Sequence, residues 1–323
     1  MTWKSAANRA LVRTTGRMLV RADRVTPVLP AAAATAPGAD VAAAPPGQSG
    51  GPKRVEIPVH TTDEVRGPVH PEADRLLDRP VFLFSPVRSG STLLRLMLNA
   101  HPQLHAPHEL HVRRLRVVAT TALATKAMDM LGHNEADLEH LLWDRVLHRE
   151  LTLSGKQFIV DKTPSNAFAF RRIQTAWPDA RFIFLLRHPA SIAASWSDAS
   201  TGRRTGKESV ADALRYMRAT ERARANLPGL TVRYEELTAD PEKVTREICD
   251  FLDVEWDSAM LEYGGRDTTY VKGVGDWSDK IRSGAVQAGR SVPRDEDVPA
   301  RLVPICRTWG YLADDAEPTP TGP

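Results

Sequence analysis

The sequence predicts an α/β fold in which helices flank a central, mostly parallel β-sheet, and three observations carry that reading. Short apolar runs such as Val81–Ser85 and Arg181–Leu186 have the length and the aromatic and β-branched content of buried strands. Stretches of helical periodicity separate them, as in a sheet built from crossover units. The chain of 323 residues is 42% hydrophobic and 26% charged, which suffices for one sizeable core.

Residues 1–53 differ from the rest. Arg9, Arg13, Arg17 and Arg21 recur every four residues, with Leu11 and Met18 between them, a spacing that predicts a helix with a basic stripe. Such a stripe suits an acidic partner or an anionic membrane surface, and is equally the pattern of a frayed, solvated segment. Residues 28–52 are dominated by Ala, Pro and Gly and read as a disordered linker. A single folded domain is expected over 54–314, followed by a flexible tail, 315–323.

Within that domain, Val81–Ser85 reads as the first strand and Thr92–Ala100 as the helix after it. Phe158–Val160, Arg181–Leu186 and Leu230–Tyr234 are further strands. Pro189 stands where a helix would open. Asp240 is an N-cap followed by Pro241, with Val244, Ile248, Phe251 and Leu252 on one helical face. In such folds ligands gather beyond the carboxyl ends of the strands.

Composition narrows the function classes. A formal net charge of +3 gives no general case for nucleic-acid binding. Cys249 and Cys306 are the two cysteines, and Cys249 lies in an apolar helical pattern where a buried thiol is expected. No apolar run has the length of a membrane span or a secretory signal, so a cytoplasmic enzyme is the default expectation.

Two strand ends carry anion-binding chemistry. Ser85-Pro-Val-Arg-Ser-Gly-Ser-Thr92 feeds a short glycine-containing loop into a helix, aiming backbone N–H groups at one point. Arg88 adds a positive charge, and Ser91 and Thr92 add hydroxyls. The spacing is not that of a Walker A loop. The second end is Leu185-Leu-Arg-His-Pro-Ala-Ser-Ile-Ala-Ala-Ser-Trp196, where Arg187 leaves the strand tip and Ser191 and Ser195 share a helical face. Two phosphate pockets suggest a nucleotide phosphorylated at two separate positions, a description that fits few common nucleotides besides 3'-phosphoadenosine-5'-phosphosulfate (PAPS) and coenzyme A.

Those two segments resemble the signature motifs of the PAPS-dependent sulfotransferases. FLFSPVRSGSTLLRLML is similar to their 5'-phosphosulfate loop and LLRHPASIAASW to their 3'-phosphate motif, while VRYEELTADPEKVTREICDFL resembles the following strand and helix. With DKTPSN and KGVGDWSDKIRSG, the likeness spans roughly 80–312. It implies a P-loop-like three-layer fold, with PAPS as co-substrate and no metal. By that likeness Arg88, Ser89, Gly90, Ser91 and Thr92 surround the 5'-phosphosulfate, Arg187 and Ser195 hold the 3'-phosphate, and Tyr234 contacts adenine. Lys272 and Gly273 match, loosely, the basic glycine segment that closes over the nucleotide. Arg88 stands where cytosolic drug- and steroid-type members carry Lys, so the bacterial, Golgi-like branches are nearer in look.

Sulfuryl transfer needs in-line approach, positive charge on the leaving phosphate and a base for the acceptor proton. The candidates for the base lie in His101-Pro-Gln-Leu-His-Ala-Pro-His-Glu-Leu-His111, with Glu109 and His111 favoured. A similar PELH stretch marks sulfotransferases acting on acyl-chain hydroxyls in assembly lines. Four close histidines also admit a zinc site or a solvated loop. Lys162, just past a strand, is either a donor to the sulfuryl or acceptor oxygens or a surface lysine. The expected acceptor is a hydroxyl on a small molecule, glycolipid or carrier-bound chain. The rival functions are a silent nucleotide-binding adaptor and an ATP-dependent phosphotransferase, the latter lacking its cradle Lys and Mg²⁺ carboxylate.

Overall fold

A computed structural model describes residues 17–20, 55–58, 67–68, 70–199, 205–264, 284–287 and 291–313. The chain divides into two units, residues 1–64 and 65–323. In the first, β1 (Arg17–Val20) pairs antiparallel with β2 (Val55–Pro58), Met18 opposite Ile57 and Val20 opposite Val55. This corrects the helical stripe at Arg17. Valine and isoleucine favour extended backbone, and pairing supplies backbone hydrogen bonds to a segment too short to hold a helix alone. Arg9, Arg13 and Arg21 lie outside the described residues.

The second unit contains β3 (Val81–Phe84), β4 (Leu104–His105), β5 (Phe158–Asp161), β6 (Arg181–Leu186) and β7 (Leu230–Arg233). They form one all-parallel sheet in the order β4-β5-β3-β6-β7. The helices are α1 (Pro71–Asp74), α2 (Ser91–Ala100), α3 (Ala122–Met130), α4 (Glu135–Ser154), α5 (Phe170–Ala176), α6 (Pro189–Ala199), α7 (Gly206–Arg224), α8 (Tyr234–Ala239), α9 (Pro241–Leu252) and α10 (Val303–Thr308). Parallel neighbours need crossover connections, which is why helices intervene.

Side chains alternate across the pleat and so feed two cores. Val81 and Leu83 of β3, with Ile183 and Leu185 of β6, pack against Leu94 and Met97 of α2 and Val244, Ile248 and Leu252 of α9. Phe82, Phe84, Phe182 and Phe184 face the other way, onto Trp143 and Leu147 of α4 and onto Trp177. Their rings lie 5.4 Å (Phe82–Trp177) to 6.2 Å (Phe82–Phe182) apart, within the range of favourable aromatic pairs. A third cluster joins Ile192 of α6, Met217 of α7 and Ile305 of α10.

The capping signals hold where they were read. α9 begins at Pro241 and Asp240 accepts a bond from the Lys243 N–H at 3.0 Å. Leu230–Tyr234 ends one residue early as a strand, because Tyr234 opens α8. Cys249 and Cys306 are both buried free thiols. Among the described residues no helix is long and apolar enough to cross a membrane. Since all five strands run the same way, the segments after Phe84, Asp161, Leu186 and Arg233 emerge at one edge of the sheet.

Candidate functional site

The loop after β3 is held in a conformation that its sequence makes accessible. Gly90 has φ +87°, in the left-handed region, and caps α2. A Cβ placed on it would stand 2.3 Å from Cδ2 of Tyr234, so any side chain here would have to displace that ring. Arg88 also has positive φ (61°), a strained state for a side chain of its size. Ser89 donates its hydroxyl back to the Pro86 carbonyl at 2.8 Å and so braces the loop. Ser91 and Thr92 sit buried in the first turn of α2, and the Ser85 hydroxyl is buried with no hydrogen-bond partner among the described residues.

The second motif meets the first. Arg88 Nε donates to Ser195 Oγ of α6 at 3.1 Å, and Arg187 Nη1 donates to the Arg88 carbonyl at 3.0 Å. The Arg187 guanidinium lies 4.5 Å from the centre of the Tyr234 ring, the same ring that covers Gly90. Arg88, Gly90, Arg187, Ser195 and Tyr234 thus form one constellation drawn from four elements. Lys272 and Gly273 fall outside the described residues.

Beside it lies the segment after β4. Lys162, which follows β5, is 1% exposed, which overturns its reading as a surface lysine. Its Nζ donates to Glu109 Oε1 at 2.5 Å, and His111 Nε2 lies 3.3 Å from Glu109 Oε2. Burial by itself would raise the Glu109 carboxyl. The His111 hydrogen bond and the Lys162 charge outweigh it and hold the pKa at about 2. Burial lowers Lys162, with Glu109 opposing. His111, at φ 51°, donates its backbone N–H to Thr163 Oγ1 at 3.3 Å. Thr163 in turn donates to Asp161, which also accepts from Asn166.

The four histidines diverge. His101 is fully buried, with Nε2 2.7 Å from the Glu255 carbonyl and Nδ1 accepting from the Gln103 N–H, a structural role. His108 is exposed. Among the described residues no three His, Cys, Asp or Glu side chains form a metal-sized group.

Sequence reasoning missed Arg95, Asp161, Thr163 and Asn166. Arg95 is 5% exposed, donates to the Ala106 carbonyl at 2.9 Å and senses the Glu109 charge, so it ties the acceptor segment to α2. Its signal was a lone charge inside Leu93-Leu-Arg-Leu-Met-Leu98. Asp161, Thr163 and Asn166 belonged to the DKTPSN run but carried no periodicity of their own.

Comparisons with known proteins bear on the family and the fold. A family model described as "Sulfotransferase family" matches residues 80–258, more than half of the chain. Nodulation protein NoeE of Sinorhizobium fredii is 25% identical over 62% of this chain and 55% of its own length. Protein-tyrosine sulfotransferase 1 of Danio rerio is 25% identical over 57% of this chain and 55% of its own. The chain therefore spans about half the length of these two curated relatives. Among solved structures, the sulfotransferase domain of the Synechococcus PCC 7002 olefin synthase superposes with a TM-score of 0.54 at 25% identity, covering 75% of this chain and 98% of that one. The sulfotransferase domain of the curacin biosynthetic pathway gives 0.57 at 19% identity, covering 73% and 99%, a likeness of fold. With its parallel sheet, its strand-end motifs and this family match over more than half its length, the chain belongs to the sulfotransferase family.

Proposed function

We propose that the protein moves the sulfuryl group of PAPS in line onto an acceptor hydroxyl and releases 3'-phosphoadenosine-5'-phosphate (PAP). The observation that carries this reading is the convergence of Arg88, Arg187 and Ser195 at one sheet edge that also bears the buried Glu109–Lys162 pair. The fit to a nucleotide rests on the loop itself. Gly90 takes the left-handed conformation at which the loop turns into α2, whose first N–H groups have no intrahelical acceptor, and the Ser85 hydroxyl has no hydrogen-bond partner among the described residues.

PAPS supplies the sulfuryl group and a nucleotide leaving group. The acceptor oxygen forms a bond to sulfur as the bond from sulfur to the 5'-phosphate oxygen breaks, and the bonding pair stays on that phosphate. Arg88, with Ser91, Thr92 and the N–H groups opening α2, meets the charge that grows there. Arg187 and Ser195 hold the 3'-phosphate, and Tyr234 offers a ring to adenine.

Glu109 takes the acceptor proton. With a pKa of about 2 it is a weak base while Lys162 is committed to it. Anionic sulfuryl oxygens give Lys162 a competing partner, which raises the proton affinity of Glu109 when it is needed. His111, half-exposed beside Glu109, receives the proton onward to solvent. The acceptor is a hydroxyl on a small molecule, glycolipid or carrier-bound chain.

The test is ligand stabilisation. PAP at saturating concentration raises the melting temperature, whereas ATP with Mg²⁺ does so far less, because PAP alone fills both anion positions. Equal stabilisation by the two contradicts the reading.

A further inference from the structure

The segment that supplies Glu109 and His111 continues directly into Val112–Arg114, a 3₁₀ turn whose Val112 is buried in the core. The strand that leads to Lys162 continues into a second 3₁₀ turn, Pro164–Ala169, which carries Phe168. The two continuations meet. Arg113 lies 5.9 Å from the centre of the Phe168 ring, and Arg215 of α7 lies 4.9 Å from the same ring and 5.0 Å from that of Tyr216. Phe168 and Tyr216 stack edge to face at 5.0 Å.

The charge around this aromatic pair does not balance. Arg215 bonds Asp212, and Arg116 bonds Glu139, a carboxylate already shared with Arg172. Arg113 and Arg114 pair with no carboxylate among the described residues. Burial, then the charges of Arg114 and Arg116, and Arg215 as well, push the Arg113 guanidinium down to about 10, so it stays charged at any working pH. A ring near the outer limit of cation–π reach compensates little of this. A half-buried cation beside like charges costs stability unless an anion arrives.

We propose that the acceptor carries a negatively charged group, a phosphate or a carboxylate, which Arg113 receives together with Arg114 and Arg215 where the segments leading on from Glu109 and Lys162 meet. The proposal rests on the sulfotransferase reading for the identity of the acceptor, and the anion site itself is tested apart from it. Phe168 and Tyr216 form the floor under that group. The guanidinium fork of Arg113 suits the two oxygens of either anion.

The experiment saturates the protein with PAP, holds ionic strength constant with sodium chloride, and titrates inorganic phosphate and, separately, acetate while the melting temperature is read. The expected result is a saturable rise with at least one anion. Arg113→Gln weakens its apparent affinity about tenfold or more, and Arg113→Lys recovers part of it. Response to phosphate alone assigns a phosphoryl acceptor and response to acetate alone a carboxylate. No saturable rise with either anion, or the same rise in Arg113→Gln, overturns the proposal. If PAP itself gives no shift, the donor reading falls, and the comparison of wild type with Arg113→Gln on PAP-free protein decides the anion site. Should Arg113→Gln fail to fold, the double variant Arg114→Gln/Arg215→Gln is read by the same criterion.

Discussion

Replacing Glu109 by Gln removes one charge and almost no volume from the centre of the site. Lys162 Nζ, 2.5 Å from Glu109 and 1% exposed, then loses the carboxylate that opposes the lowering of its pKa by burial. Breaking a buried pair by removing one member costs about 3–5 kcal/mol. An independent route gives a similar figure. The carboxyl is held at about 2 against an ordinary 4.5, and at about 1.4 kcal/mol per pKa unit that displacement corresponds to about 3 kcal/mol. The sign follows from the depressed pKa: the contribution is complete above pH 4.5 and lost as pH falls toward 2. Urea denaturation at pH 7, 5, 3.5 and 2.5 reads it directly. Wild type exceeds Glu109→Gln by about 3 kcal/mol at pH 7, and the gap closes below pH 4. Equal midpoints at pH 7, or parallel pH profiles, refute the assignment of the low pKa to this pair.

Three other outcomes are expected. Gly90→Ala loses at least about 1–2 kcal/mol from its left-handed backbone, plus the displacement of Tyr234; adding Tyr234→Ala recovers the second part, and failure to recover any contradicts the packing argument. Arg187→Ala weakens PAP binding by about 2–4 kcal/mol in calorimetric titration, and an unchanged Kd means that Arg187 serves only the Arg88 carbonyl and the Tyr234 ring. Cys249 and Cys306, each pushed up to about 11 by burial first, react slowly with a thiol reagent at pH 8 until urea exposes them, and rapid native labelling of either refutes that burial.

The fold was legible because its strands and caps are local events. Arg181–Leu186 and the Asp240–Pro241 start of α9 are set by composition and by one side-chain bond, so their bounds could be read residue by residue. The cradle was legible for the same reason, since a short glycine loop entering a helix is a contiguous pattern. What the sequence concealed is non-local. Nothing adjacent in the chain says that Tyr234 covers Gly90, that Arg88 reaches Ser195 across 107 positions, or that Lys162 finds Glu109 from 53 positions away. Arg95 went unread because its partner is a backbone carbonyl, which no side-chain pattern announces. The arginine period misled at Arg17, because a four-residue period is necessary for a helical stripe and not sufficient for a helix, and at Arg17–Val20 pairing with Val55–Pro58 decides the conformation.

Incubation with radiolabelled PAPS and an extract of the source organism tests the central claim most directly, with transfer of label into product measured for wild type and Glu109→Gln beside PAP affinity. The account predicts label covalently attached to an acceptor by wild type, a rate lower by about 10²–10⁴ in Glu109→Gln, and PAP affinity within about threefold in both. PAP binding with no transfer by wild type would contradict it and leave a silent nucleotide-binding protein; equal transfer by the variant would take the proton from another residue.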